Sequence, residues 1–301
     1  MYFLVFYHAF APKNHGFIGG KMIMTDCKCY RLSLSVCICA VAISLVFASQ
    51  VFAAIDPASA YLVWTFEEAS GNTVEDESGN GNNGEFVGNT TLSDGKTGDG
   101  VMFDGSNSAI MCPTVNGVEN KAFTECLWVN FAGFAAEAQF GYINCTGTTN
   151  GRFFYFSSWS SGGGDHNCIH AGVLDTAGAW GRGISTGRLF EEDTWYFICA
   201  VIDTEAGFIK AYVDGQLVPG GEIGTGVGDV PGEPDQIWVG GSPESYQWVN
   251  GTVDDVAFFN VALSQEDINS VMNNGILEAI GLTAVDPSAS LSTTWGGVKG
   301  E

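Results

Sequence analysis

Short apolar segments alternate with breaks rich in Gly, Asn and Asp along most of the chain after residue 60. These segments are rich in aromatic and β-branched residues, which is typical of strands. They cover residues 60–66, 100–104, 108–112, 122–131, 139–144, 152–159, 167–174, 194–203, 207–215, 236–241 and 251–260. Asp-Gly pairs at 104–105 and 214–215 are strong hairpin signals. The pattern predicts an all-β fold, a two-sheet antiparallel sandwich of the jelly-roll kind.

One segment near the C-terminus has helical rather than strand periodicity. Ser264 is suited to an N-cap, and Asp267 three residues later completes a variant of the capping box. Apolar positions then recur at helical spacing until Gly275, a residue that commonly ends helices. The sequence therefore predicts one short C-terminal helix packed on the sandwich.

The N-terminal region has the features of an export signal. Lys28 and Arg31 precede an apolar run at 32–48, and the small residues at 51–53 fit a cleavage site. The run is 17 residues long, slightly short for a membrane span, so an uncleaved anchor is the minority alternative. We expect a secreted protein or one of the cell envelope or periplasm, with no membrane span in the mature chain.

This leader sets the expected domain organisation. Residues 1–53 form the leader, in which translation is expected to start at Met22 or Met24. Residues 54–280 form one sandwich domain, and the Ser/Thr-rich tail at 281–301 is expected to be flexible.

Charge excludes one large class of partner. The chain has 34 acidic and 11 basic residues, a net charge of −23. Such a chain repels phosphate backbones, so nucleic acid is not an expected partner. Acidic surfaces instead favour cation binding or solubility outside the cell.

Five cysteines follow the leader, and no two of them have the close spacing of a zinc knuckle. They are Cys112, Cys126, Cys145, Cys168 and Cys199. We expect mainly buried small side chains, with one or two disulfides as an open alternative and the pairing undetermined.

Several segments in a fixed order resemble a laminin-G-like domain of the concanavalin A-like lectin/glucanase superfamily. They are "LVWTFEEASGNTVEDESGNGNNGEF" (62–86), "GDGVMFDGSNSAIM" (98–111), "FTECLWVNF" (123–131), "TWYFICAVIDTEAGFIKAYVDGQLV" (194–218), "IWVGGS" (237–242) and "VNGTVDDVAFFNVALSQEDI" (249–268). The likeness covers roughly residues 58–275. It implies a jelly-roll fold that binds glycans or proteins outside the cell, often with calcium; some branches of the superfamily hydrolyse glycans.

Catalysis is not expected. Glycoside hydrolysis needs two carboxyl groups, one of them held protonated. The glucanase branch carries an E-x-D-x-x-E strand, which this sequence lacks. Glu75 and Glu77 lie in a Gly/Asn-rich loop, and Asp254 and Asp255 are adjacent, so a regular strand would point them to opposite faces. We therefore predict a non-enzyme.

The loop "DESGNGNNG" at 76–84 is a candidate calcium loop. Asp76 and Asn80 offer oxygens at the spacing of the first half of an EF-hand, but Val87 stands where that motif needs a bidentate Glu. The loop is therefore not an EF-hand, and alone it has too few carboxylates for a calcium ion.

Carboxylates from elsewhere would have to complete such a site. Asp254 and Asp255, or Glu67 after the first strand, could do so if the first and last strands of the sandwich pair. A structural Ca²⁺ is thus one prediction. The alternative is an Asn/Asp-rich turn held by its own side-chain hydrogen bonds, and the two stay open.

Aromatic side chains in loop-like contexts are candidate sugar-stacking residues, because the apolar faces of sugar rings pack on aromatic rings. They are Trp159, Trp180, Tyr246 and Trp248. Strand-end packing is the alternative for each of them. The four strand tryptophans, Trp64, Trp128, Trp195 and Trp238, are expected in the core.

Arg152 is a further candidate ligand residue. Together with Arg182 and Arg188 it falls in one third of a chain that has few basic residues, where it could meet an acidic glycan. Scattered solvated charges are the alternative.

These features favour an exported, non-catalytic module that binds an extracellular glycan, with calcium dependence left open. The alternative partner is a surface protein, in a structural or adhesion module without a sugar site. A glycoside hydrolase is the weakest of the three hypotheses.

Overall fold

The computed structural model describes residues 55–113, 115, 122–134, 140–147, 151–158, 167–173, 184–186, 189–224, 236–242 and 247–282. The predicted leader and tail lie outside these residues, apart from Gly281 and Leu282. No helix within the described ranges combines the length and apolarity needed to cross a membrane.

Two antiparallel sheets, each with eight strands among the described residues, form the domain. Sheet 1 has the order β14-β13-β12-β7-β18-β5-β4, and β1 also pairs with β18. Its strands are β1 Ala60–Trp64, β4 Thr91–Asp94, β5 Asp99–Asp104, β7 Ala122–Phe131, β12 Trp195–Asp203, β13 Phe208–Val213, β14 Gln216–Gly224 and β18 Asn250–Phe259.

Sheet 2 has the order β11-β10-β9-β8-β15-β6-β3-β2. Its strands are β2 Thr73–Val74, β3 Gly84–Val87, β6 Ala109–Cys112, β8 Phe140–Gly147, β9 Gly151–Ser158, β10 His170–Val173, β11 Ile184–Ser185 and β15 Gln236–Val239. A small hairpin of β16 Gly241–Ser242 and β17 Gln247–Trp248 follows β15. The predicted all-β jelly-roll sandwich is confirmed.

The main core lies between the two sheets, and alternation along β7 shows how the sequence builds it. Phe123, Leu127 and Phe131 are fully buried in this core, whereas Cys126 and Trp128 between them belong to a second cluster on the outer face of sheet 1. This alternation is what a strand buried on both faces requires.

Two helices cover the second cluster. Helix α1, Gln265–Asn274, begins with the predicted capping box, in which Ser264 accepts a hydrogen bond from the Asp267 N–H. Ile268 and Val271 of α1 are buried in the second cluster. A further short helix, α2, Ile276–Ala279, follows Gly275 and was not predicted.

The four strand tryptophans divide between two environments. Trp64 and Trp238 are buried, as predicted. Trp128 is half-buried and packs against the second cluster rather than the core between the sheets. Trp195 is half-buried and belongs to neither cluster, so its prediction as a core residue is wrong. Trp128 faces outward because it lies out of phase with the core residues of β7, and the Lys96 ammonium sits 4.6 Å from its ring centre.

The described cysteine side chains, Cys112, Cys126, Cys168 and Cys199, are all buried. Cys126 and Cys199 lie directly opposite each other on β7 and β12. The Cys145 side chain lies outside the described part of the chain.

Candidate ligand-binding site

A cleft with a volume of about 280 Å³ opens at one end of sheet 1. It is lined by Asp104, Gly105, Gly133, Phe134, Glu192, Trp248 and Asn250. Strand pairing brings these residues together, because β5 ends at Asp104 directly opposite Asn250, where β18 begins. The residues that follow β7 and precede β12 complete the walls.

Asp104 carries a fixed negative charge at this cleft. One of its oxygens, Oδ1, accepts hydrogen bonds from the N–H groups of Ser106 (2.9 Å) and Asn107 (3.1 Å), and Oδ2 accepts one from the Asn89 side chain (2.8 Å). Slight burial acts to raise the pKa of Asp104, but hydrogen bonds with Ser108, Asn89 and the two turn N–H groups outweigh it and hold the pKa well below its usual range. Asp104 is therefore ionised at neutral pH.

Two aromatic rings form the apolar part of the cleft. Trp248 of β17 is half-buried, and its indole N–H has no hydrogen-bond partner among the described residues. Phe134 is held by the core residue Phe131, with ring centres 4.9 Å apart. The cleft thus has one ring anchored on the core and one half-buried tryptophan whose N–H has no partner among the described residues.

A glycine keeps the polar groups of the cleft open. A Cβ atom at Gly133 would lie 3.1 Å from Nδ2 of Asn250 and 3.9 Å from Oε1 of Glu192. Neither the Asn250 amide nor the Glu192 carboxylate has a side-chain partner in the part of the chain that the structure describes. Both side chains are exposed and available to a ligand.

Of the predicted ligand residues, the structure places Trp248 in this cleft. Trp159, Trp180 and Tyr246 lie outside the described residues. Arg152 is described by its backbone, which pairs with Thr146 near the turn between β8 and β9, away from the end where β9 finishes. The roles of all five residues in binding stay predictions.

Sequence reasoning did not single out four residues of the cleft: Asp104, Phe134, Glu192 and Asn250. Each lies at or just beyond the end of a long strand. The Asp-Gly pair at 104–105 was noted only as a hairpin signal. The position of these residues at strand ends was a signal that the sequence contained. The order in which the strands pair is needed to know which strand ends lie side by side.

The loop proposed for calcium begins with Asp76, whose two oxygens are fully engaged. Oδ1 accepts hydrogen bonds from the N–H groups of Val63 (2.9 Å) and Ser78 (3.0 Å). Oδ2 accepts from the Ser78 hydroxyl (2.8 Å) and the Asn82 N–H (2.9 Å). Asp76 therefore binds donors of its own chain.

The rest of this loop binds the edge of β1 that does not pair with β18. The Asn80 side-chain nitrogen donates to the carbonyl groups of Ala60 (2.9 Å) and Tyr61 (3.1 Å). Ser78 and Asn82 also donate to the Tyr61 carbonyl, at 3.1 and 2.9 Å. Because β1 pairs with β18 on its other side, the loop satisfies an edge that would otherwise be open to another chain.

The predicted pairing of the first and last strands occurs, and β18 also pairs with β5, which places Asp254 near the β4–β5 turn. The Asp254 side chain, only 1% exposed, accepts hydrogen bonds at Oδ2 from the N–H groups of Lys96 (2.8 Å) and Thr97 (3.0 Å). Its Oδ1 accepts from the Asp255 N–H (2.8 Å). β18 is irregular here, with Asp255 at a φ of 49°, so the alternation of a regular strand does not apply.

Asp254 and Asp255 share an acidic environment with Glu67 and Glu77. Burial raises the pKa of Asp254 to about 6, against the lowering effect of its hydrogen bonds. Burial raises the pKa of Asp255 to about 7, and repulsion from Asp254, Glu67 and Glu77 adds to the increase. The structure thus brings Glu67, Asp254 and Asp255 together.

The described residues do not fit a calcium ion at the predicted place. No group of three Asp, Glu, His or Cys side chains among them is arranged to hold a metal ion. Asp76 and Asn80 are engaged with the backbone of β1, as the turn alternative expects. Calcium binding stays a prediction that a titration can test.

Comparisons with known proteins agree with this architecture. A laminin G profile, described as the concanavalin A-like lectin/glucanases superfamily, matches residues 104–269. The adhesion G-protein coupled receptor V1 of Danio rerio is 28% identical over 89 residues, which are 30% of this chain and 1% of the receptor.

Solved structures with a similar fold include receptor-binding domains of bacterial toxins. The receptor-binding domain of the botulinum neurotoxin C/D mosaic serotype aligns with a TM-score of 0.58 and 15% identity, over 73% of this chain and 52% of that chain. The ligand-binding domain of serotype D in complex with N-acetylneuraminic acid aligns with a TM-score of 0.56 and 17% identity, over 74% of this chain and 52% of that chain. The chain therefore spans about half the length of these structures, and at this identity the likeness concerns the fold.

Proposed function

Because this chain belongs to the concanavalin A-like lectin/glucanase superfamily, we propose that it is an exported, non-catalytic binding module that holds a glycan in the cleft at Trp248. The lectin-like sandwich supplies the scaffold. The cleft supplies the contacts, and the leader supplies the route out of the cell.

One observation carries the proposal: the cleft is lined by a half-buried indole ring and by exposed polar side chains that have no partner among the described residues. A sugar ring presents an apolar face to an aromatic side chain and hydroxyl groups to amide and carboxylate groups. Trp248 offers the aromatic face, and Asn250 and Glu192 offer the polar contacts. A volume of about 280 Å³ suits a single sugar ring better than a protein segment.

The carboxyl groups support binding rather than hydrolysis. A glycoside hydrolase needs a carboxyl group that stays protonated beside the scissile bond. Asp104 of the cleft is ionised, because its hydrogen bonds lower its pKa. The carboxyl groups whose pKa is raised, Glu125, Asp254 and Asp255, do not line the cleft.

Relatives lend support at the level of class. One toxin domain of similar fold was solved with N-acetylneuraminic acid, and one sequence relative is an adhesion receptor. Binding or adhesion is named in both descriptions.

A second candidate function is adhesion to a surface protein through the outer face of sheet 1. Trp195, Asn130, Thr252 and Met102 form a cross-strand row there, and Met102 is 47% exposed. Exposed apolar groups on a sheet face favour contact with another protein.

A glycan array separates the two functions. We expect the wild-type protein to bind at least one glycan and Trp248→Ala to bind it about tenfold more weakly, a loss of ~1.4 kcal/mol. Trp195→Ala is the matched control, because it removes a half-buried tryptophan from the outer face instead. Equal loss in both variants, or no glycan bound, would contradict the cleft proposal; loss of cell-surface adhesion in Trp195→Ala alone would favour the second function.

A further inference from the structure

The cleft has an uneven charge composition. Two of its seven lining residues, Asp104 and Glu192, are acidic, and no lysine, arginine or histidine of the described chain lines it. The sequence as a whole has a net charge of −23, so no general positive field offsets these carboxylates. A concave site lined by one sign of charge concentrates ligands of the opposite sign.

The two carboxylates differ in how many hydrogen bonds they already make. Asp104 already accepts three hydrogen bonds from Asn89, Ser106 and Asn107, so its position is fixed and it contributes chiefly its charge. Glu192 is exposed and its side chain has no partner in the described ranges, so it can bond a ligand directly. One fixed and one mobile carboxylate suit a cationic group that enters between them.

The tryptophan of the cleft also favours a positively charged ligand. The face of an indole ring is electron-rich and attracts ammonium groups as well as the C–H face of a sugar. Trp248 can therefore contact both parts of a sugar that carries an amine. Asn250, beside Gly133, remains available for a hydroxyl group of the same ring.

We infer that the ligand residue held in this cleft is an amino sugar with a protonated amine, bound in preference to acidic sugars. This inference rests on the proposed glycan-binding function and specifies the ligand class of the same site. The ammonium group lies against Glu192 in the field of Asp104, and the ring lies on Trp248. An acidic sugar would instead place its carboxylate against two others, so the charge of this cleft differs from what a ligand such as N-acetylneuraminic acid requires.

The limited volume makes the ligand a single sugar residue, such as a chain end. At about 280 Å³ the cleft is at the lower limit for small-molecule sites. A lysine side chain of a protein carries the same charge but lacks the ring face that would cover Trp248. We therefore argue for the sugar and treat a lysine peptide as a competitor in the test.

Titration calorimetry with four probes of matched length tests the inference: glucosamine oligomers, N-acetylglucosamine oligomers, oligouronates and a lysine-rich peptide. We expect glucosamine oligomers to bind most tightly, and added salt to weaken them more than the neutral N-acetylated oligomers. Glu192→Gln should weaken glucosamine binding about fivefold, the size of one partly exposed charge pair, and weaken the neutral oligomers clearly less, because glutamine can still hydrogen-bond a hydroxyl group.

Two further variants make the result specific. Glu191→Gln removes the same charge one residue away, outside the cleft, and should leave all affinities unchanged. Gly133→Ala adds a methyl group without a change of charge and should weaken both the cationic and the neutral sugars. Urea unfolding of each variant confirms that the fold is intact.

Each remaining outcome is decisive. Equal or tighter binding of the oligouronates, or an equal effect of Glu192→Gln and Glu191→Gln, overturns the amino-sugar inference and leaves glycan binding in place. Tightest binding of the lysine peptide, competing at the same cleft, overturns the sugar as the ligand. Binding of none of the sugars, in this experiment and on the array, overturns the proposed function itself.

Discussion

The loop over the edge of β1 depends on one carboxylate, and Asp76→Ala is expected to destabilise the whole domain. The substitution removes the acceptor of four hydrogen bonds, two of them from the backbone N–H groups of Val63 and Asn82. Both of these residues are fully buried, so water does not readily replace the lost acceptor. The other two bonds order the turn at Ser78.

The size of the effect follows from these groups. A buried N–H group left without an acceptor costs about 1–3 kcal/mol. Asp76 is itself half-buried, and the loop can relax, so we take the lower half of this range for each of the two N–H groups. The expected loss in free energy of unfolding is therefore about 2–4 kcal/mol.

Urea unfolding followed by tryptophan fluorescence measures this loss. Glu75→Ala is the matched control, because it removes a neighbouring, exposed carboxylate that makes no hydrogen bond among the described residues. We expect Glu75→Ala to change the free energy of unfolding by less than about 0.5 kcal/mol. Both variants and the wild type are measured in EDTA and in millimolar calcium.

The comparison of the two conditions decides between the two hypotheses for this loop. If the loop is an edge-covering turn, Asp76→Ala loses the same stability in EDTA and in calcium. The other outcome is that Asp76→Ala and Glu75→Ala have equal free energies of unfolding in EDTA, and that Asp76→Ala is less stable only in calcium. That outcome refutes the turn hypothesis and supports a calcium site at Asp76.

Three further predictions concern other parts of the chain. Because burial raises the pKa of Asp254 to about 6 and of Asp255 to about 7, folding favours their protonated forms. This contribution to stability is fully present below the ordinary Asp pKa of about 4 and is lost as the pH rises through the raised values, so stability should fall by about 3–4 kcal/mol between pH 5 and 8. Asp255→Asn should flatten this dependence, and a rise in stability over that range would contradict it. Gly98→Ala should destabilise by about 2 kcal/mol, because alanine disfavours a positive φ and its Cβ would displace the Glu67 carboxylate that accepts a hydrogen bond from the Asp99 N–H. Gly71→Ala, with a similar φ but open space around it, should cost only about 1 kcal/mol, and equal urea midpoints would count against the steric argument. N-terminal sequencing of the exported protein should find Ala54 as the first residue; a protein that keeps residues 32–48 would refute cleavage after Ala53.

Much of the fold follows from local sequence patterns. The long strands β7, β12 and β18 were predicted because aromatic and β-branched residues mark strands that are buried on both faces. The capping box of α1 was predicted because its hydrogen bonds lie within one turn. Short, polar strands such as β4 were missed: Thr91–Asp94 is mostly exposed, so no apolar alternation identifies it.

The site was less predictable because its contacts are non-local. Trp248 was singled out from its loop-like surroundings, yet all its neighbours in the cleft except Asn250 come from positions more than 50 residues away in the chain. For Asp76, the same side-chain oxygens suit either a cation or backbone N–H donors. Only the pairing of β1 with β18 shows which donors are close.

Strand β18 carries a candidate ligand residue at its start and a buried carboxylate that stabilises a turn farther along. Asn250 opens β18 at the cleft, and Asp254 lies four residues along the same strand, roughly 13 Å away. Beyond Asp254, the strand pairs with β1 and so joins the edge that Asp76 holds. The side chains of Asn250 and Glu192 at the cleft end make no hydrogen bond among the described residues, so these ligand groups can change while the loop held by Asp76 and the turn held by Asp254 stay in place.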